Sequence, residues 1–177
     1  MTLYELTHQY KPLEVVGRTD VEISGIELDS RKCKPGTAFV AIRGTQADGH
    51  TYIEKAISLG AGCIICEHLP ENPNPDVTYA VYGNTAEIVG PLATTFYGNP
   101  TKRMKLVGIT GTNGKTTIAT TLYNVIRRMC IKAGLCSTVC NYIDGEVYPT
   151  ECTTPDPITL NRLLGKMADQ GCEYAFM

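Results

Sequence analysis

The feature that most constrains this chain runs from Lys105 to Arg128, KLVGITGTNGKTTIATTLYNVIRR. Leu106, Val107 and Ile109 predict a buried strand, Gly111 to Gly114 a glycine turn, and the stretch beyond it a helix. Ile118, Leu122, Val125, Ile126 and Met129 recur at helical spacing and form one apolar stripe. A strand that passes into a helix through glycines fixes an α/β architecture around itself. It also fixes a chemistry. The first turn of a helix has backbone N–H groups without intrahelical partners, and the helix dipole is positive there. Such a place attracts an anion.

The residues at the turn select the anion. Gly111 and Gly114 let the backbone bend so that successive N–H groups face one concavity. Lys115 brings a positive charge to its mouth. Thr116 offers a hydroxyl suited to a Mg2+ shell, and Mg2+ normally arrives with nucleotide phosphates. Gly111, Thr112, Asn113, Gly114, Lys115, Thr116 and Thr117 therefore form a candidate phosphate loop for a nucleotide, with Lys115 and Thr116 as its catalytic candidates and Thr116 as the Mg2+ ligand. The general loop pattern has a glycine where Ile109 stands, so this is a shorter form, G-T-N-G-K-T-T. A glycine-rich turn with an incidental lysine is the plain alternative. A strand before, a helix after and Lys-Thr-Thr at the junction argue against it.

Composition narrows the partners. The 177 residues are enough for one domain and part of another. A net charge of −2 offers no basic field for nucleic acid. No apolar run approaches the roughly 18 residues of a membrane helix. The opening MTLYELTHQYKP lacks the basic start and apolar core of an export signal, so the expected setting is the cytoplasm. Disulfides are disfavoured there, and the eight cysteines are read as thiols. Cys63 and Cys66 form a C-x-x-C inside an apolar, strand-like run. Strand alternation sends them to opposite faces, which suits packing rather than metal or redox chemistry. Cys136 and Cys140 have no histidine nearby, and His8, His50 and His68 are scattered without a triad-like context.

Residues 1–100 read as one small α/β domain. A short helix is expected from Leu3 to Gln9, strands around Val21 to Leu28 broken at Gly25, and a strand from Thr37 to Ile42. A polar loop follows, then a helix stopped by Gly60, strands over 62–67 and 77–82, and a helix from about Thr85 that Pro91 should kink or delay. Tyr97 to Pro100 reads as a linker. Residues 101–177 read as the first part of a parallel-sheet nucleotide-binding domain. A strand is expected from Leu135 to Val139, and a hairpin whose turn is Asp144-Gly145. Asp156 and Pro157 open a helix that carries Leu160, Leu163, Leu164 and Met167, Gly171 closes it, and a last strand begins at Cys172. A full parallel sheet of this kind needs about five strands, and only about three are expected here, so the sequence reads as the N-terminal piece of a longer protein.

Two further stretches gather polar groups. Leu28, Asp29, Ser30 and Arg31 end one expected strand, and Thr45, Gln46, Ala47 and Asp48 follow another. Loops at strand ends collect small-molecule contacts, and these groups suit a sugar nucleotide. Ordinary solvated turns explain them equally well. In E-C-T-T-P-D-P, Thr153 and Thr154 precede a helix N-terminus, where they could equally serve as caps.

G-T-N-G-K-T-T resembles the ATP loop of the Mur ligases, the ATP-dependent amide-forming enzymes of peptidoglycan precursor synthesis. The related folylpolyglutamate synthetases carry a similar loop, usually with Gly-Ser in place of Thr116 and Thr117, so the Thr-Thr ending favours the Mur side. L-D-S-R, P-G-x-x-F-V-A and D-G-H are similar to the first domain of the Mur ligases that add the third residue and of those that add the terminal dipeptide. V-C-N-Y-I-D-G and T-T-P-D-P-I-T-L resemble the third-residue branch more closely, with Cys152 where some members have Asn. The resemblance covers essentially the whole chain in order. It implies a small N-terminal α/β uridine-nucleotide-binding domain followed by part of a phosphate-loop ATPase domain. It implies contacts to the uridine diphosphate end of the substrate at Leu28, Ser30, Thr45, Gln46 and Ala47, and to the muramoyl peptide at Thr153 and Thr154. The implied reaction joins a diamino acid, meso-diaminopimelate or L-lysine, to UDP-MurNAc-L-Ala-D-Glu through an acyl phosphate, with ATP and Mg2+. A downstream glutamate, a carbamylated lysine and an amino-acid-selecting third domain of the family have no counterpart in these residues, so binding without ligation is expected. A monomer is expected, with no nucleic-acid or membrane partner. The dipeptide-adding branch and a non-catalytic nucleotide-binding module are the alternatives.

Overall fold

Two runs, Thr37–Val40 and Thr78–Val81, bury all four of their residues. Strands with no polar face are the mark of a parallel sheet covered on both sides. The computed structural model, which describes residues 1–44, 47–149 and 155–177, bears this out. It divides into two compact units, Met1–Phe96 and Tyr97–Met177.

The first unit has strands β1 (Glu14–Val16), β2 (Gly25–Glu27), β3 (Thr37–Val40), β4 (Ala61–Cys66) and β5 (Thr78–Val81), in the order β1-β5-β4-β3-β2. β2 to β5 pair in parallel, and β1 runs antiparallel to β5. Helices α1 (Leu3–Thr7), α2 (Ile53–Ser58) and α3 (Thr85–Phe96) accompany the sheet. Phe39, Ile64, Cys66 and Tyr79 pack in one buried cluster with Ile53 and Ala56 of α2. Cys63 lies outside that cluster, in keeping with the alternation along β4. Burial pushes the Cys63 thiol up to about 12 and the Cys66 thiol up to about 11.

Several local expectations shift. Gly25 begins a strand rather than breaking one, and Val21 lies outside it. α3 starts at Thr85 as expected, without the late start that Pro91 suggested, and runs on through Pro91. β1 has no counterpart in the sequence reading. Three residues carry too little periodicity to announce themselves, and their partner β5 lies far along the chain.

The second unit has strands β6 (Lys105–Val107), β7 (Ala133–Leu135), β8 (Asn141–Ile143), β9 (Glu146–Tyr148) and β10 (Tyr174–Phe176), in the order β6-β10-β7-β8-β9. β6, β10 and β7 are parallel, while β8 and β9 are antiparallel, so this sheet is mixed rather than purely parallel. The hairpin turn is as expected, with φ of 47° at Asp144 and 95° at Gly145. Helix α4 spans Lys115–Arg128 and α5 spans Pro157–Asp169. The Asp156 carboxylate accepts from the Ile158 and Thr159 amides and caps α5. Phe176 packs with Ala119 and Tyr123 of α4, whereas Ala175 packs with Leu164 and Met167 of α5. Neighbouring strand residues face opposite ways, so the two helices cover opposite faces of the sheet.

Three expectations for this unit are corrected. β6 is not buried. It stands at the end of the described sheet with β10 as its one neighbour there, and Leu106 is 39% exposed. α4 also turns a different side inward. Ala119 and Tyr123 are its buried residues, while Ile118, Leu122, Val125 and Met129 are exposed. Small Ala119 lets the helix approach the sheet and Tyr123 reaches over it, so the deepest contact falls beside the apolar stripe, with Ile126 at its margin. Finally, β7 ends at Leu135, because Ser137 pulls the chain into a turn. Its hydroxyl donates to the Cys140 carbonyl at 2.6 Å and accepts from the Cys140 amide at 3.2 Å.

Met167 lies fully buried over β7, where Gly134 has no side chain. A Cβ there would sit 2.8 Å from Met167 Cγ and closer still to the sulfur. Gly134→Ala should therefore destabilise the second unit by about 1–3 kcal/mol, the usual cost of overpacking. Urea unfolding with the midpoint lowered and the slope unchanged is the expected result.

Candidate functional site

Parallel pairing decides where the loops open. In the second unit Val107, Phe176 and Leu135 lie side by side at the carboxyl ends of β6, β10 and β7. The chain beyond β6 holds one more rung, with the Ile109 amide donating to the Met177 carbonyl at 2.7 Å, and then enters the glycine turn. Ligands of open α/β sheets gather at this edge.

Both glycines of the turn are required by backbone conformation. Gly111 has φ of 148° and Gly114 of 81°, and Gly114 is also the N-cap of α4. A Cβ would meet nothing closer than 3.7 Å at Gly111 and 3.8 Å at Gly114, so the reason is torsional rather than steric crowding. A glycine cap brings no side-chain acceptor, and the first turn of α4 contains no acid. The first-turn amides and the positive end of the dipole therefore face outward uncompensated by side chains. The Lys115 ammonium folds back over the turn and donates to the Gly111 carbonyl at 2.5 Å and the Thr112 carbonyl at 3.4 Å. Gly111, Thr112, Asn113, Gly114, Lys115 and Thr117 are exposed, and Thr116 is half-buried. An anion can reach this turn from solvent without displacing protein. At the other end of α4, Arg127 pairs with Asp144 of the hairpin turn, and the Tyr123 hydroxyl accepts from the Gly145 amide at 3.0 Å. The helix is thus fixed at the end remote from the phosphate turn.

In the first unit β2 and β3 are parallel neighbours, so the loops that follow them open at one edge. Leu28 is half-buried there, Ser30 is buried, and Ala47 is exposed with its carbonyl accepting from the Gly44 amide at 3.0 Å. Thr45 and Gln46, and likewise Thr153 and Thr154, lie outside the described residues. Asp29 caps the short turn Ser30–Lys32 and takes a forked pair of hydrogen bonds from the Arg31 guanidinium.

Sequence reasoning missed His50. Its side chain is only 5% exposed, with Nδ1 2.6 Å from the Asp48 carboxylate. Its Nε2 accepts from the Glu67 amide at 2.9 Å. The Asp-Gly-His spacing carried a signal, since an Asp two residues before a His can bond both its amide and its ring. The amide seventeen residues away is invisible to local pattern.

The Arg31 guanidinium beside Asp29 lowers its carboxyl from the ordinary 3.8 to about 2. A carboxylate depressed on folding adds stability that is fully present above its unfolded value and is lost as pH falls towards the folded one. Here that window runs from about pH 4 down to about pH 2. Arg31→Ala should move the Asp29 titration back up towards ordinary carboxylates, as followed by its side-chain carbon chemical shift. It should also remove this share of the acid sensitivity.

Comparison with known proteins accords with this geometry. Residues 22–97 match the profile described as the Mur ligase family, catalytic domain, and residues 109–177 match the Mur ligase middle domain. A UDP-N-acetylmuramoyl-L-alanyl-D-glutamate--2,6-diaminopimelate ligase of Bacteroides thetaiotaomicron is 57% identical over 177 residues, 100% of this chain and 37% of that protein. A ligase of the same name from Phocaeicola vulgatus is 62% identical over 164 residues, 93% of this chain and 34% of that protein. The chain thus spans about a third of the length of these relatives. A solved structure of a ligase of that name aligns with a TM-score of 0.78 at 24% identity, covering 99% of this chain and 35% of the other. One of the D-alanyl-D-alanyl-adding ligase from Acinetobacter baumannii aligns at 0.67 and 19% identity, covering 99% and 35%. At such identities the structures speak for the fold alone. The two family matches, which between them span most of the sequence in the expected order, establish that the chain belongs to the Mur ligase family.

Proposed function

We propose that this chain carries the uridine-nucleotide-binding and ATP-phosphate-binding parts of a MurE-type ligase, which joins diaminopimelate to UDP-MurNAc-L-Ala-D-Glu. The observation that carries this reading is the turn from Gly111 to Lys115. It combines two glycines at positive φ, an ammonium at the mouth and an acid-free helix N-terminus. In an ATP-dependent ligase family, the anion suited to such a turn is the triphosphate of ATP. The names of the relatives favour diaminopimelate over L-lysine as the incoming amine.

The chemistry follows from the substrate. An ionised carboxylate does not accept an amine, because an oxide would have to leave. Transfer of the ATP γ-phosphoryl group to a carboxylate oxygen gives an acyl phosphate and ADP. The amine then adds to the carbonyl carbon, and inorganic phosphate leaves from the tetrahedral intermediate as the amide forms. Phosphoryl transfer of this kind is mostly positioning and charge neutralisation. In this reading the amides of residues 111–117 cradle the phosphates. Lys115 exchanges the Gly111 and Thr112 carbonyls for phosphate oxygens, a stronger charge-assisted contact. Thr116 would hold a magnesium ion through its hydroxyl, and the ion would supply further charge neutralisation at the phosphates. Leu28, Ser30, Thr45, Gln46 and Ala47 hold the uridine diphosphate end, and Thr153 and Thr154 meet the muramoyl peptide. The bacterial cytoplasm is the setting of such a reaction.

Lys115→Ala should leave thermal unfolding unchanged and weaken ATP·Mg2+ binding at least tenfold, while UDP-MurNAc-dipeptide binds as before. In the complete enzyme it should abolish ligation. Wild-type nucleotide affinity or turnover in that variant would overturn the assignment. Titration with UDP-muramoyl dipeptide against the tripeptide separates this reading from the dipeptide-adding ligase. A nucleotide-binding module without a ligase role would not prefer either over plain UDP.

A further inference from the structure

The loop that carries Ala47 needs an anchor, because burial does not provide one. Arg43, Gly44 and Ala47 are all exposed. What ties the loop down is a set of hydrogen bonds at its two stems. At the entrance, the Thr85 hydroxyl donates to the Ala41 carbonyl at 2.7 Å. At the exit, the Asp48 carboxylate accepts from the His50 amide at 2.9 Å and lies 2.6 Å from its ring Nδ1, with Arg43 Nε 3.6 Å away on the other oxygen. The far side of the same ring accepts from the Glu67 amide at 2.9 Å. The Glu67 carboxylate in turn accepts from the Thr85 amide at 3.2 Å. Both stems therefore end on one pair, Thr85 at the start of α3 and Glu67 just beyond β4.

The ring chemistry is specific. A nitrogen that accepts from an amide carries no proton, so the single proton of the neutral imidazole sits on Nδ1, where it donates to Asp48. Phenylalanine fills the space and supplies neither bond. The His68 ring stacks on the His50 face at 4.4 Å and 14° between planes, and the His50 side chain is almost fully buried. Solvent has little access to replace the lost partners, so their loss is costly.

We infer that His50 is a positioning residue for the uridine site, an imidazole strut that holds Asp48, and with it Ala47, against the end of β4. The inference rests on the uridine reading given above. His50 does not touch the nucleotide. It sets the backbone that presents Ala47, and acts through Asp48.

Two measurements on the 177-residue chain test it. The first needs no ligand. In His50→Phe, amide exchange at Gly44 and Gly49, which close the loop on Ala47 and Ile42, should speed at least tenfold, while exchange in β3 and β4 stays at wild-type rates. The second is calorimetric titration with UDP-MurNAc-dipeptide and, separately, with a non-hydrolysable ATP analogue. Affinity for the uridine ligand should fall at least tenfold and affinity for the ATP analogue should stay within twofold. Asp48→Ala should behave like His50→Phe and serves where that variant does not fold. Asp48→Asn, which keeps an acceptor oxygen facing the ring, should restore wild-type behaviour in both measurements. Unchanged exchange and unchanged uridine affinity in folded His50→Phe or Asp48→Ala would overturn the inference alone. A parallel fall in both affinities would also overturn it, in favour of a general packing role. A wild-type chain that takes up no uridine ligand would overturn the uridine reading itself, and this inference with it.

Discussion

Parallel strand pairing is the constraint on which both units depend. A parallel strand must return across a face of the sheet before it pairs again, so every such strand leaves by the same edge. In the second unit Val107, Phe176 and Leu135 stand level at that edge, and the glycine turn departs from beside them. In the first unit β2, β3 and β4 run alike, and the stretches that begin at Leu28, Ala41 and Glu67 all leave at their carboxyl ends. Polar residues separated along the chain thus converge without any strand being built from polar residues. The buried faces of β3, β4 and β5 hold the sheet while the edge remains free for chemistry.

What could be read from sequence was what local chemistry decides. The glycine turn, the Asp144-Gly145 hairpin and the Asp156-Pro157 helix start each rest on residues within one turn of one another, and each is present. The failures share a different cause. β1 depends on β5, some sixty residues later. Exposure of Leu106 depends on which neighbour β6 has in the sheet. The Glu67 amide that completes the setting of His50 lies seventeen residues from it. None of these can be seen in a window of ten residues.

The inward side of α4 is the more instructive failure. The apolar stripe through Ile118, Leu122 and Val125 is real, and it is not the side that meets the described sheet. Periodicity measures which residues share a face. It does not measure how closely a helix can approach a strand. Ala119 allows that approach and Tyr123 spends its ring on the sheet and its hydroxyl on Gly145. A hydrophobicity scale scores both residues below leucine or isoleucine, so the contact side scored lower than the stripe.

The two loops are stiffened by different physics, and this sets how each tolerates change. At the phosphate turn the shape is held by backbone torsion. Gly111 and Gly114 sit at φ values that other residues adopt only with strain, so the geometry is lost with either glycine whatever replaces it. The lysine above them is free to exchange partners, because its present acceptors are exposed carbonyls that water can satisfy. In the first unit Asp48 is held by side-chain contacts that run through the His50 ring to the Glu67 amide and on to Thr85. Such an anchor can be rebuilt with other donors and acceptors of the same reach. A torsional anchor has no substitute. The phosphate turn is therefore expected to admit little variation at its glycines, while the side-chain contacts around Asp48 can be replaced by others of the same reach.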